Sequence, residues 1–226
     1  MNVPPHADPL IHVGILDDSF RLQRAKAAAG FRDRLGILWS AREAVVSCMA
    51  SAYLREDLEY PVGDVKSKVW RASIHTAITQ GIDIVEHTMA TATYVQASVL
   101  VRQEMEAVEC LRGIRSGQQK SKSSPRLVAL RHLVRPYSQL TGLAHLSEPA
   151  LLAHITDVLG SGVDINLNPE FEAFLFCIHL VSLVGIAFDI ADLRPFSSNS
   201  ISSLEETELM QGVCGLLSER GYLTVE

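Results

Sequence analysis

Apolar residues recur at three- and four-residue steps through most of this chain, a period that predicts helices rather than strands. The first clear stripe is Phe31, Leu35, Leu38, Trp39, Val45, Val46, Met49 and Tyr53, which places an amphipathic helix over about residues 31–57. Gly30 separates it from the Ala-rich turn before it, and Pro61 and Gly63 end it. Val65, Val69, Ile74 and Ile78 mark the next helix, with Gly81 as its expected stop. From Ile82 the pattern resumes and runs to about Ile114 through Val85, Met89, Val95, Val99 and Leu100. Its middle is rich in Ala, Ser and Thr, small residues that let another helix approach closely. The Thr and Val content also suits a strand, but the length exceeds any ordinary strand.

Punctuation organises the remainder. Residues 116–125 read Ser-Gly-Gln-Gln-Lys-Ser-Lys-Ser-Ser-Pro, a polar, basic linker closed by a proline. A helix is expected to follow to Arg135, and Pro136 fits the first position of another. Ser147 is the expected cap of a helix to Leu159, which Gly160-Ser161-Gly162 stops. Asn168 and Pro169 are a cap and first-turn proline for an apolar helix ending before Pro195. Ser203-Leu204-Glu205-Glu206 fits a capping box for a last helix ending near Gly221. At the other end, Pro4, Pro5 and Pro9 predict an extended segment over residues 1–16, with Asp17, Asp18 and Ser19 as N-cap candidates behind it. The expectation is an all-α fold: one bundle of six to eight helices over residues 17–226.

Composition supports a folded domain, with 47% hydrophobic and 20% charged residues in a chain of 226. A net charge of -6 argues against nucleic-acid binding by bulk electrostatics, though not against a local basic patch. Cys48, Cys110, Cys177 and Cys214 are too scattered for a disulfide framework or a zinc site, and read as small buried residues in a reducing compartment. Residues 1–9 have neither a basic nor an apolar signal region, so a cytoplasmic protein is expected. Residues 173–188 contain no Asp, Glu, Lys or Arg. A bilayer span needs about 20 apolar residues, so this run is expected to be a core or dimer-face helix with no membrane role. It is apolar on every side, more than one core-facing stripe requires, so its surplus face is expected either in a two-fold interface, with residues 171–190 as the face of a homodimer, or under the C-terminal helix.

The chain lacks a Gly-x-Gly-x-x-Gly fingerprint, a Walker loop, a Gly-x-Ser-x-Gly elbow and a His-Glu-x-x-His helix. Asp83, Glu86 and His87 are close on one helix but too few for a metal, and no metal or cofactor is expected. Candidate chemistry concentrates further on. Arg102 and Glu106 are one turn apart; Tyr137, Thr141 and His145 share a face at i, i+4 and i+8 if their segment is helical. Facing each other, these groups would form a buried polar cluster, serving either a substrate or only the register of the helices. Lys120, Lys122, Arg126, Arg131 and Arg135 are a candidate phosphate-binding strip, or else a solvated run. Trp39, Trp70 and Tyr94 sit within apolar periodicity and read as core.

The order of an Arg- and Glu-bearing turn at 102–109, then Tyr137, Leu140, Thr141 and His145, resembles the HEPN-like group of small helical bundles. Many of that group are ribonucleases of bacterial toxin and abortive-infection systems, and others only bind or dimerise. The resemblance covers about residues 31–160. Its catalytic version uses Arg, four to six residues, then His, pooled by two subunits at a dimer interface; Arg126 and His132 have five residues between them. Leu127 stands where the group usually has a polar residue. On a regular helix the two side chains would point about 120° apart, so a dimer or a helix break is required to bring them together. The resemblance implies metal-independent RNA cleavage through the ribose 2′-hydroxyl. His132 or His145 would be the base and Arg126 or Arg102 would stabilise the phosphate. The alternative is a non-catalytic dimeric scaffold or ligand-binding module.

Overall fold

The computed structural model describes residues 9–54, 65–118, 127–155, 167–191 and 202–223. Among the described residues the protein is all-helical, with nine α-helices and one 3-10 turn and no strand, against the six to eight helices expected. In chain order these are α1 (Pro9–Ala28), α2 (Phe31–Leu35), α3 (Ile37–Leu54), α4 (Val65–Ala90) and α5 (Tyr94–Arg115). The 3-10 turn Arg131–Leu133 then leads into α6 (Val134–Ala144), followed by α7 (Pro149–Ile155), α8 (Pro169–Ala191) and α9 (Ser202–Glu219).

Several boundaries depart from expectation for identifiable reasons. α1 reaches back to Pro9, into the segment expected to be extended to Leu16, because a first-position proline loses no helical hydrogen bond. Gly36, at φ 52°, breaks the stripe expected to be one helix into α2 and α3. Gly81 does not stop α4, which continues to Ala90. The stop is Ala92 at φ 54°. There the Thr93 amide bonds back to the Thr88 carbonyl and the Ala92 amide to that of Met89, both at 2.9 Å, in a Schellman arrangement. The Thr93 hydroxyl adds a second bond to the Thr88 carbonyl at 2.8 Å, and the Thr91 hydroxyl covers that of His87 at 2.7 Å. A glycine-based reading passes over such an end, because the left-handed residue here is an alanine.

The helix expected up to Arg135 is replaced by turns and then the 3-10 segment. The amides of Val128 and Leu130 donate to Glu109 Oε1 at 2.7 and 2.8 Å, so they are unavailable to an i−4 ladder. Ser147, expected to cap the next helix, instead donates to the Gly142 carbonyl at the end of α6. Asn168 does cap α8, its Oδ1 accepting the Phe171 amide at 2.9 Å.

α8 lies at the centre, packed by α3, α4, α5 and α9. That position explains its all-round apolarity: it is long and apolar enough to cross a membrane, yet 78% of its most apolar window is buried inside the protein. Neighbours within one chain thus cover most of this helix, α9 among them, while Phe188 stays exposed. Phe176, Leu175, Ile178, Leu180, Leu183 and Ile186 are fully buried, each worth roughly 1.5–3 kcal/mol of apolar transfer. α5 crosses α8 at Gly185, where an added Cβ would stand 2.9 Å from a Val108 methyl. Trp70 is exposed rather than core, whereas Tyr94 is buried and exchanges hydrogen bonds with the Asn168 backbone. The four cysteines are free thiols, Cys48 and Cys177 buried and Cys110 and Cys214 half-buried.

Candidate functional site

α5 and α6 bring Arg102, Glu106 and Tyr137 together. The Tyr137 hydroxyl donates to Glu106 Oε1 at 2.7 Å, and Arg102 Nε lies 3.3 Å from the same oxygen. Burial first, and then the hydrogen bond to Glu106, raises the Tyr137 pKa, which keeps the phenol a neutral donor. Thr141 donates to the Tyr137 carbonyl at 2.8 Å, one turn back along its own helix. His145 lies past the end of α6 and is exposed. The group is half-buried at the surface of two packed helices.

Arg131 and Arg135 are exposed around the start of α6, while Lys120, Lys122 and Arg126 lie outside the described residues. His132 Nε2 is 2.8 Å from the Tyr222 carbonyl. A carbonyl can only accept, so Nε2 carries the hydrogen there.

The most deeply buried charges are others. His179, fully buried on α8, places Nδ1 2.7 Å from Glu104 Oε2 on α5 and Nε2 3.6 Å from Glu86 Oε1 on α4. Arg42 on α3 completes the chain, its Nε donating to Glu86 Oε1 at 2.6 Å and its second nitrogen to Oε2 at 3.1 Å. Four helices therefore meet at one alternating line of charge, Arg42–Glu86–His179–Glu104. Burial by itself would lower the His179 pKa; attraction and hydrogen bonding from Glu104, then Glu86, outweigh it and raise it to about 9. Burial pushes the Glu104 pKa up against the pull of His179, while for Glu86 the bonds to His179 and Arg42 overcome burial and lower it. The signal for this network was a histidine alone in an apolar run: a buried titratable group must find partners among the facing helices.

Two further buried carboxylates tie helices together. Asp189 Oδ2 on α8 accepts from Arg71 Nε at 2.7 Å and faces His75 Nε2 at 2.8 Å, both on α4. These bonds, His75 first, overcome burial and lower the Asp189 pKa. Glu172 takes a two-point contact from Arg34 at 2.8 and 2.9 Å, which pins α2 to the start of α8.

The central network reaches the surface at one cavity of about 440 Å³ between the end of α1, α2, α3 and α4. Glu86 forms its inner wall beside Phe31 and Trp39, and Asp33, Asp83, His87 and Arg32 surround it. The Arg32 guanidinium sits 4.7 Å from the centre of the Trp39 indole and that of Arg42 5.0 Å. Asp83, Glu86 and His87, the trio noted in the sequence, thus line one cavity. Among the described residues no group of three or more His, Cys, Asp or Glu is arranged to hold a metal ion.

Comparison of the chain with protein-family models, curated proteins and solved structures finds no match.

Proposed function

We propose that the protein is a helical ligand-binding module that takes an organic cation at the Trp39 cavity. The observation that carries this reading is the Arg32 guanidinium over the Trp39 ring at 4.7 Å, within a cavity that presents the carboxylates of Asp33 and Asp83 beside a Glu86 already held by Arg42. An exposed arginine side chain already uses the indole face as a cation platform. A ligand ammonium or guanidinium of similar shape gains the same contact by displacing it. Arg42, anchored on Glu86, stays behind to hold the wall. Free thiols and the burial of α8 support a cytoplasmic location.

The test is Trp39 emission in a Trp70→Phe background, titrated with guanidinium, tetramethylammonium and spermidine. The expected result is a saturable change, strengthened several-fold in Arg32→Ala and weakened in Asp33→Asn and Asp83→Asn. No saturable response, or one indifferent to all three substitutions, overturns the reading.

A second reading is favoured by His132. The Nε2 hydrogen of His132 is directed at Tyr222, which leaves Nδ1 outside that bond, and the exposed Arg131 and Arg135 flank it in sequence. In that reading the protein is a HEPN-like homodimer acting on RNA in a bacterial defence or toxin system, with Arg126 and His132 pooled across the dimer. Purified protein would then cleave single-stranded RNA without added metal, and His132→Ala would cost about a hundredfold. Equal cleavage without His132, or no cleavage by the wild type, removes it.

A further inference from the structure

α9 is held to the bundle by one buried stripe, Met210, Val213 and Leu217, against α3 and α8. Beside that stripe a groove of about 640 Å³ runs between α9 and α3. Its walls are Ile37, Ala41 and Ala44 from α3 and Leu209, Val213 and Leu216 from α9. Ile37 is 61% and Leu209 47% exposed, large apolar side chains open to solvent on facing walls. Small residues deepen the groove. At Gly212, on its floor, an added Cβ would meet nothing within 4 Å. The rim has one sign of charge: Glu205 and Glu208 line it. α9 as a whole carries four glutamates, at 205, 206, 208 and 219, and no basic residue.

We propose that this groove docks a basic amphipathic helix of a partner protein. An apolar floor between helical walls accepts an apolar stripe at i, i+3 or i+4, and i+7. The α9 wall from Glu205 to Leu216 spans about 17 Å, three helical turns. The glutamate rim selects lysines and arginines flanking that stripe and repels an acidic counterpart. The same rim disfavours a second copy in the groove, because two α9 helices brought together would oppose glutamate with glutamate.

The experiment uses the full chain and two fluorescein-labelled helical peptides with the same leucine stripe, one flanked by Lys and Arg, the other by Glu. In anisotropy titrations the basic peptide binds about tenfold or more tightly than the acidic one, and rising salt narrows the gap. Gly212→Leu fills the groove and abolishes binding while the melting temperature is kept. Glu205→Lys with Glu208→Lys inverts the preference between the two peptides. Equal affinity for both peptides, or binding that survives Gly212→Leu in a folded protein, overturns the proposal. So does sedimentation showing a wild-type dimer that Gly212→Leu dissociates, which would assign the groove to a second copy. None of these readouts involves the Trp39 cavity, so this proposal and the cation-binding reading fail independently.

Discussion

His179 Nδ1 lies 2.7 Å from Glu104 Oε2 at the centre of the bundle, with both side chains closed off from solvent. The positive charge of a protonated His179 stands between two carboxylates, Glu104 bonded at Nδ1 and Glu86 3.6 Å from Nε2. Its removal leaves an excess of buried negative charge, which is far more costly than a surface ion pair lost.

This pair sets a pH dependence. The His179 pKa is raised from 6.5 to about 9 on folding, so its contribution is fully present below 6.5 and is lost as pH rises through about 9. Glu104 acts with the same sign, because burial raises its pKa and the folded state again favours the proton. Glu86 and Asp189 act oppositely: their pKa values are lowered, so their contribution is present above 4.5 and 3.8 and is lost as pH falls below those values. Urea midpoints measured from pH 4 to 10 should therefore peak at about pH 5–6 and fall on the alkaline side, with the part of the fall centred near pH 9 absent in His179→Gln and the Glu104 share remaining. A flat alkaline limb in the wild type would sink this account.

Glu109 should rank among the most sensitive single positions. Its buried carboxylate accepts the amides of Val128 and Leu130 and the Arg112 Nε at 2.9 Å. Glu109→Ala strands one buried and one part-buried backbone donor and is expected to cost about 2 kcal/mol or more. Glu109→Gln keeps an acceptor oxygen and should cost roughly 1 kcal/mol. Amide exchange separates this from a general loosening: the amides of residues 128 and 130 should lose protection first, before the core of α8.

Helix content was legible because the 3.6-residue stripe is a direct image of burial. Ala97, Val101, Met105, Val108 and Leu111 lie on one side of α5 and all are buried. Glu104 stands on the same stripe, so its burial was readable, but a reading drawn to the i, i+4 pair Arg102–Glu106 selected the half-buried edge of that helix instead. The partners of Glu104 were not readable. His179 is 75 residues away, and which helices face each other is a tertiary fact that no local spacing encodes. The end of α4 was missed for a different reason: left-handed geometry at Ala92 is fixed by the hydrogen bonds around it rather than by its own residue type. The turns before α6 likewise follow from Glu109, 19 residues upstream of Val128.

The Glu106–Tyr137 bond couples α5 to α6 at moderate depth. Both Arg102 and Glu106 retain about a fifth to a quarter of their side-chain exposure, so solvent shares in their charge. Glu106→Ala and Tyr137→Phe should each cost about 1 kcal/mol, and the double variant little more than either, because one hydrogen bond is being removed twice. Chemical denaturation of the four proteins measures this. Costs that simply add would show that the two residues act separately.

Gly185 and Val108 set how closely α8 and α5 approach. A Cβ at 185 would fall 2.9 and 3.1 Å from the two Val108 methyl carbons, on a branched side chain wedged between two buried helices. Those methyls have little freedom to yield, so Gly185→Ala is expected to destabilise by about 1–3 kcal/mol, despite the better helix propensity of alanine. Val108→Ala alone removes packing and also destabilises, by about 1 kcal/mol or more. Combined, the two changes exchange a methyl on α8 for two on α5, and the double variant should be more stable than the sum of the single losses by about 1 kcal/mol. That positive coupling, read from urea unfolding of the full cycle, is the signature of a shared contact. Strict additivity would show that the helices separate freely at this crossing and that Gly185 is replaceable there.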